Sequence, residues 1–258
     1  MSSATRTYVG IDPTAGTRPM NFAAIDRDLR ILSLEKGDME AVLSFVHGLG
    51  QAVVAIDAPQ SPNQSLMADP VVRARYGLPA HGDTWAGWKV CEYELRRRNV
   101  RLYRTPGKES EAPRWVRKGF ALYRRLKASH FELFVQGQPL GSRGLLEVHP
   151  HACFTVMLGR RPFLKGTLEG RLQRQLVLYL EGVDVPDPLR SLEEITRHHL
   201  LQSRLLLPDL YDHDQLDSLV AAYTAFLASE QPGRVSQVGD IEEGRITLPT
   251  DELLDFYR

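Results

Sequence analysis

Two cysteines in 258 residues are too few, and too far apart, to build a disulfide framework or a zinc ribbon; Cys91 and Cys153 each stand without a second cysteine nearby. That usage fits a reducing, cytoplasmic setting. Long apolar runs are missing as well. No stretch reaches the roughly 18 apolar residues of a membrane span, so no membrane association is expected. The opening Met-Ser-Ser-Ala-Thr-Arg runs into an apolar strand without the hydrophobic region of a secretory signal. An excess of one charge is absent too, since 32 Lys and Arg balance 32 Asp and Glu. Neither a Gly-x-Ser-x-Gly elbow, a Ser-His-Asp order nor a Walker-type loop occurs, which argues against the common serine hydrolases and P-loop enzymes. There is no internal repeat or low-complexity segment. What remains is an ordinary globular composition, 43% hydrophobic and 25% charged, on a chain long enough for a sizeable core.

The balanced charge is unevenly spread. Between Arg96 and Lys127 twelve Lys and Arg face only Glu109 and Glu111, a net of +10; from residue 205 to the end eleven Asp and Glu face three Arg, a net of −8. Such a pattern suits a phosphate-binding wall beside an acidic, metal-binding segment, and equally two solvated faces.

Periodicity places the elements. Residues 6–12, 20–26 and 30–34 read as three strands joined by short turns, an antiparallel meander. Met39, Val42, Leu43, Val46 and Leu49 have helical spacing, and the continuous apolar run up to Asp57 reads as a strand buried on both faces. Residues 58–86 form a long loop rich in Pro, Gly and Asp. A helix over 87–99, a short strand at 100–103, a basic helix over 115–135 and a buried strand over 144–149 follow. Helices are then expected at 151–158, 168–181, 191–202 and 213–229, with a last strand at 246–248. The alternation predicts one mixed α/β domain over residues 1–258, with helical elaborations at about 106–143 and 151–205.

Three segments end in carboxylates. Asp12 closes the first strand and Asp57 the fourth, and in an open α/β sheet parallel neighbours bring such residues to one edge. Asp214 and Asp217 lie three apart and share a helix face. Glu147 ends a further apolar strand. Carboxylates gathered this way repel one another unless cations neutralise them, and oxygen donors suit Mg²⁺ or Mn²⁺. Two such ions, about 3.5–4 Å apart, can position a water and stabilise the leaving oxygen in phosphodiester hydrolysis. Each Asp taken singly could equally cap a turn or a helix end; the set carries the reading, with Asp12, Asp57 and Asp217 as principal ligands and Asp214 and Glu147 assisting.

At these residues the chain resembles the DUF429 family, predicted nucleases of the ribonuclease H-like superfamily. The shared pattern includes Gly10-Ile11-Asp12, the run from Val54 to Pro59, the run from Cys91 to Val100 leading to Thr105-Pro106, and Glu147-Val148-His149-Pro150. It continues through Lys165-Gly166-Thr167, Gly170-Arg171, the run from Asp214 to Ala222, and the run from Glu243 to Pro249. The resemblance implies a mixed five-stranded sheet with its second strand antiparallel and helices on both faces. It also implies that Asp12, Asp57, Asp214 and Asp217 occupy the metal-ligand positions of a nuclease acting on nucleic acid. Pro13 departs from the family pattern and stiffens the first loop.

Candidate phosphate ligands are Arg96, Arg101 and Arg104 in the basic stretch, with Tyr103, Trp115 and Tyr123 nearby to stack on bases, and Lys165 and Arg171 by position in the motif. Arg73 and Arg75 lie on the long loop, where they could close over a substrate. His149 and His151 alternate with Glu147, a spacing that suits zinc, although Pro150 ends the strand; His149 could also move protons near the metals. Two other functions stay open: a non-catalytic module that binds nucleic acid or protein, and phosphotransfer from ATP, suggested by Asp12-Pro13-Thr14-Ala15-Gly16.

Overall fold

A computed structural model describes residues 5–258 apart from 194 and 206. Its centre is a mixed sheet of eight strands, larger than the five-stranded sheet that the family resemblance implies. The meander is present: β1 (Arg6–Asp12), β2 (Met20–Ile25) and β3 (Ile31–Gly37) pair antiparallel. After helix α1 (Met39–Gly48), β4 (Gln51–Ile56) returns parallel to β1, and β6 (Arg143–Glu147) lies parallel to β4. The order is β3-β2-β1-β4-β6-β8-β7, with β5 (Glu132–Leu133) also on β6, β8 (Gly244–Leu248) parallel to β6, and β7 (Ser236–Asp240) antiparallel to β8.

The strands absent from the sequence reading are those with least signal. β5 has two residues, and β7 buries only Val238. The expected strand at 100–103 does not form; Val100 closes a turn on the Leu95 carbonyl, and the chain beyond it runs without a ladder to the candidate site. The helix expected over 115–135 spans Arg114–Ala128 (α4), and the one expected over 191–202 is two short helices, Arg190–Glu193 (α7) and Arg197–Leu201 (α8), with residue 194 outside the described residues. The remaining helices are α2 (Pro70–Arg75), α3 (Val90–Arg97), α5 (Pro150–Leu158), α6 (Leu168–Leu180) and α9 (His213–Glu230). Among the described residues no helix is long and apolar enough to cross a membrane.

Strand parity divides the core. Val9, Ile11, Val54, Ile56 and Leu145 face one side and pack under α1 and α4. Tyr8, Val53, Ala55, Leu146 and Val148 face the other, against α9, α5 and α3. Helix α9 begins at the N-cap Asp212, whose side chain accepts from the Gln215 amide while the Gln215 side chain accepts in return. It is buried from Leu216 to Ala228, so it is a core helix covered on all sides.

Gly10 lets α9 come this close. A β-carbon there would stand 2.0 Å from the Ser218 carbonyl oxygen and 2.4 Å from the Ala222 nitrogen. No side chain fits, and the obstruction is helix backbone, which does not swing aside. Gly10→Ala is therefore expected to lower stability by at least about 3 kcal/mol in urea denaturation. Gly48→Ala, at the open end of α1 with nothing within 4 Å, should be neutral or slightly stabilising.

Candidate metal centre

The parity that sorts the core also sorts the carboxylates. Ile11, Ile56 and Glu147 are register partners and share a face. Asp12 and Asp57, one residue further along β1 and β4, point to the opposite face, toward α9. Helix α9 brings Asp214 and Asp217 down on that side. Ligand oxygens of Asp12, Asp214 and Asp217 lie within 4.8 Å of one another, and all three residues are buried, a set able to hold a metal ion. Asp214, expected as an assistant, is thus at the centre. Asp57 stands beside the trio, bordering the same cavity and facing His149. It follows the end of β4, whereas α9 makes a close backbone approach over β1 at Gly10.

Each carboxylate has a partner. The Thr14 amide donates to Asp12 Oδ1 at 2.9 Å. Lys165 Nζ lies 2.8 Å from Asp217 Oδ2, and Arg18 Nη1 lies 2.9 Å from Asp214 Oδ2, with His213 3.1 Å from the other Asp214 oxygen. His149 Nε2 sits 3.1 Å from the Arg101 carbonyl, which only accepts, so that nitrogen carries a proton; Nδ1 faces Asp57 at 3.6 Å. An imidazolium satisfies both neighbours. Burial works against that charge, but the Asp57 carboxylate outweighs it and the His149 pKa rises.

Asp12 bears most of the strain of this crowding. Its carboxyl is pushed up to about 8, by burial first and then by the charges of Asp57 and Asp217, against the lowering effect of the Thr14 amide. Asp217 is also raised by burial, with Lys165 pulling the other way. Lys165 in turn is held above the ordinary lysine value: burial would lower it, and Asp217 overrides that.

Glu147 is elsewhere. Its side chain accepts from the Gln60 amide at 3.0 Å on the α4 face and belongs to a second buried charge centre with Lys89, Glu92 and Glu243. Glu243 accepts from the amides of Gln64 and Val90, and Glu92 from those of Lys89 and Thr105. The centre clamps the chain that leaves Asp57 to α3 and β8. Burial raises Glu147 to about 7, with Lys89 opposing. The zinc set of Glu147, His149 and His151 does not form, because β6 ends at Glu147 and His151 is already inside α5.

The candidate phosphate ligands separate in the same way. Lys165 borders the cavity over the trio, about 330 Å³ in volume, with Arg18, Tyr103 and Trp115. Arg101 borders an adjoining cavity of about 390 Å³. Arg96 lies over the Trp88 ring and Arg104 against Gly87, outside both cavities. Arg171 donates to the carbonyls of Leu210 and Tyr211, tying α6 to the approach to α9. Tyr123 is buried under the sheet and donates to the Leu146 carbonyl. Arg73 is buried and donates to the carbonyls of Met67, Pro79 and Thr84, so it braces the long loop; Arg75 pairs with Asp240.

A family model described as "Protein of unknown function (DUF429)" matches residues 10–243. The chain belongs to the DUF429 family. No curated protein and no solved structure gives a significant match. The matched span of the DUF429 chain contains all four aspartates and both buried charge centres. Sequence reasoning missed Thr14, Arg18 and Lys89. Arg18 had one available signal, a basic residue in the turn leaving Asp12. Lys89 had none, since two of the three glutamates around it, Glu147 and Glu243, are distant in sequence.

Two outcomes follow from these charges. Asp12 binds its proton more tightly in the folded protein than in the unfolded chain, so its stabilising contribution is complete below about 3.8 and is lost as pH rises toward about 8. In EDTA the melting temperature should fall across that window, and Asp12→Asn should flatten the fall. Lys89→Met leaves Glu147, Glu92 and Glu243 without their buried cation; chemical denaturation should show a loss of about 3–5 kcal/mol.

Proposed function

We propose that this protein is a nuclease that uses Mg²⁺ or Mn²⁺, two ions in the working site, to hydrolyse phosphodiester bonds of nucleic acid on a ribonuclease H-like core. The observation that carries the reading is the buried trio of Asp12, Asp214 and Asp217, within 4.8 Å, with Asp57 alongside. The run β3-β2-β1-β4-β6, with β2 antiparallel to its neighbours, supports that reading within a larger sheet of eight strands.

The donor set fits the ions. It consists of carboxylate oxygens, the ligands that Mg²⁺ and Mn²⁺ favour, and the elevated proton affinity of Asp12 reflects a charge deficit that a cation would relieve. When bound, such ions supply activation of the attacking water and stabilisation of the leaving oxygen. The chain's own residues do the rest. The Thr14 amide fixes Asp12, His149 fixes Asp57, and Lys165 and Arg18 set the rotamers of Asp217 and Asp214 while presenting positive charge to an incoming phosphate. Glu147 acts at a distance by holding the Gln60 amide and with it the segment that follows Asp57.

A second reading, a non-catalytic binding module, is favoured by one observation: Lys165 and Arg18 already give two of the carboxylates a cationic partner. Phosphotransfer from ATP is less supported. The Thr14 hydroxyl, part of the turn that suggested it, donates inward to the carbonyls of Arg18 and Pro19.

The deciding experiment incubates purified protein with Mn²⁺ or Mg²⁺ and a panel of single-stranded, duplex, hybrid and branched nucleic acids. Cleavage is expected, with at least about a hundredfold loss in Asp12→Asn. Calorimetry that detects no Mn²⁺ binding, together with no cleavage, would favour the binding module.

A further inference from the structure

The carboxylate trio lies in a chain of cavities. The 330 Å³ cavity over it shares Asp57, His149 and Lys165 with the 390 Å³ cavity, and shares Arg18 with a third cavity of about 440 Å³ that carries Arg114 and Lys118. The acidic residues sit mid-way, with cations on both sides.

The two cavities nearest the trio differ in chemistry. One presents aromatic rings: Tyr103 and Trp115 meet edge to face at 5.5 Å, and Tyr103 is 40% exposed. The other presents a buried guanidinium. Arg174 is 1% exposed, donates through Nη1 to the carbonyls of Phe163 and Gly170, and has an Nε with no hydrogen-bond partner. It borders that cavity with Arg101 and Lys165. Burying an arginine with an unmade hydrogen bond costs free energy, because the donor gives up water and gains nothing. The positive charge of Arg174 stands at the wall of that cavity, and arginine suits phosphate best.

We propose, building on the nuclease reading, that the substrate is a single strand of nucleic acid laid through these cavities. An unpaired base rests against Trp115 and Tyr103, and a neighbouring phosphate sits at Arg174, Arg101 and Lys165. Aromatic rings gain by stacking only on bases that a partner strand has released. The carboxylates are recessed, with Asp12 7% and Asp217 3% exposed, so the strand must enter the groove to bring a phosphate to them. The third cavity, with Arg114 and Lys118, extends the track and lets the strand continue past the trio.

The test measures binding, not cleavage, so it stands apart from the nuclease assay. Fluorescence anisotropy in Ca²⁺ buffer compares a labelled single strand of about 10 nucleotides with the same strand in a duplex. The single strand is expected to bind at least about tenfold tighter. Trp115→Leu should weaken it by about tenfold, and Arg101→Glu by a similar factor with a shallower salt dependence. Arg101 is exposed, so that variant leaves the core intact where Arg174→Gln could unfold it. Equal or tighter duplex binding, or single-strand binding unchanged in both Trp115→Leu and Arg101→Glu, would overturn the proposal. Duplex cleavage alongside that result would leave the nuclease reading standing. Strand binding without any cleavage would retain the groove and remove the nuclease.

Discussion

The absence of a side chain at Gly10 underlies the rest of the structure. Because α9 settles with its backbone on β1, Ser218 and Ala222 are pinned against the strand two residues before Asp12. Asp217 adjoins Ser218, and Asp214 is one turn earlier. A helix held off by even one β-carbon would move both aspartates away from Asp12. A second close approach works from the other side, where a β-carbon on Gly119 in α4 would stand 2.3 Å from that of Ala58, the residue after Asp57. Its neighbour Lys118 donates to the carbonyls of Pro13 and Arg18. The loops leaving both strand ends are therefore braced by helices whose contact points are glycines.

Two buried charge centres lie close together at the strand ends, and Asp57 and His149 of the first line a cavity together with Glu92 and Glu147 of the second. On the α9 side the carboxylates are buried and crowded, and burial first, then the charges of Asp57 and Asp217, push Asp12 up to about 8. In the other centre one buried lysine, at the start of α3, is surrounded by Glu92, Glu147 and Glu243, whose oxygens are mostly occupied by backbone amides. In the second centre most acceptors are matched by donors of the chain itself, although Glu92 and Glu147 also border the cavity that Asp57 and His149 line. The first is open, bordered by a cavity and by the exposed cations Arg18 and Lys165, and its unmet charge suits a cation from solution. The difference follows from strand parity. Glu147 and Asp57 end adjacent parallel strands, but one residue of offset turns them to opposite faces.

Much of this was readable in the chain, and what was not has identifiable causes. The meander, α1 and the apolar run to Asp57 could be read because their hydrophobic periods are strong and local. Helix α9 was placed to within a residue, and the pairing of Asp214 with Asp217 on one face followed from helical spacing. The strands β5 and β7 escaped because two residues, or a segment with one buried side chain, carry no period. Arg73, which could have closed over a substrate, braces its loop instead, and nothing in Val-Val-Arg-Ala-Arg marks the carbonyls of Met67, Pro79 and Thr84 as its partners. Arg171 was assigned to phosphate for the same reason. An arginine that completes a loop and one that awaits a ligand look identical in sequence.

By itself, the sequence determined the local elements, the acidic strand ends, and which aspartates share a helix face. These depend on periods of two and 3.6 residues and on neighbours a few positions away. Only the tertiary structure decided which carboxylates meet. It put Asp214 in the trio, left Asp57 beside it with His149, and set Glu147 beside Lys89. The reason is register: which residue of β6 lies opposite Ile56, and where α9 crosses β1, are set by pairing and close packing between segments far apart in the chain. No local pattern records either.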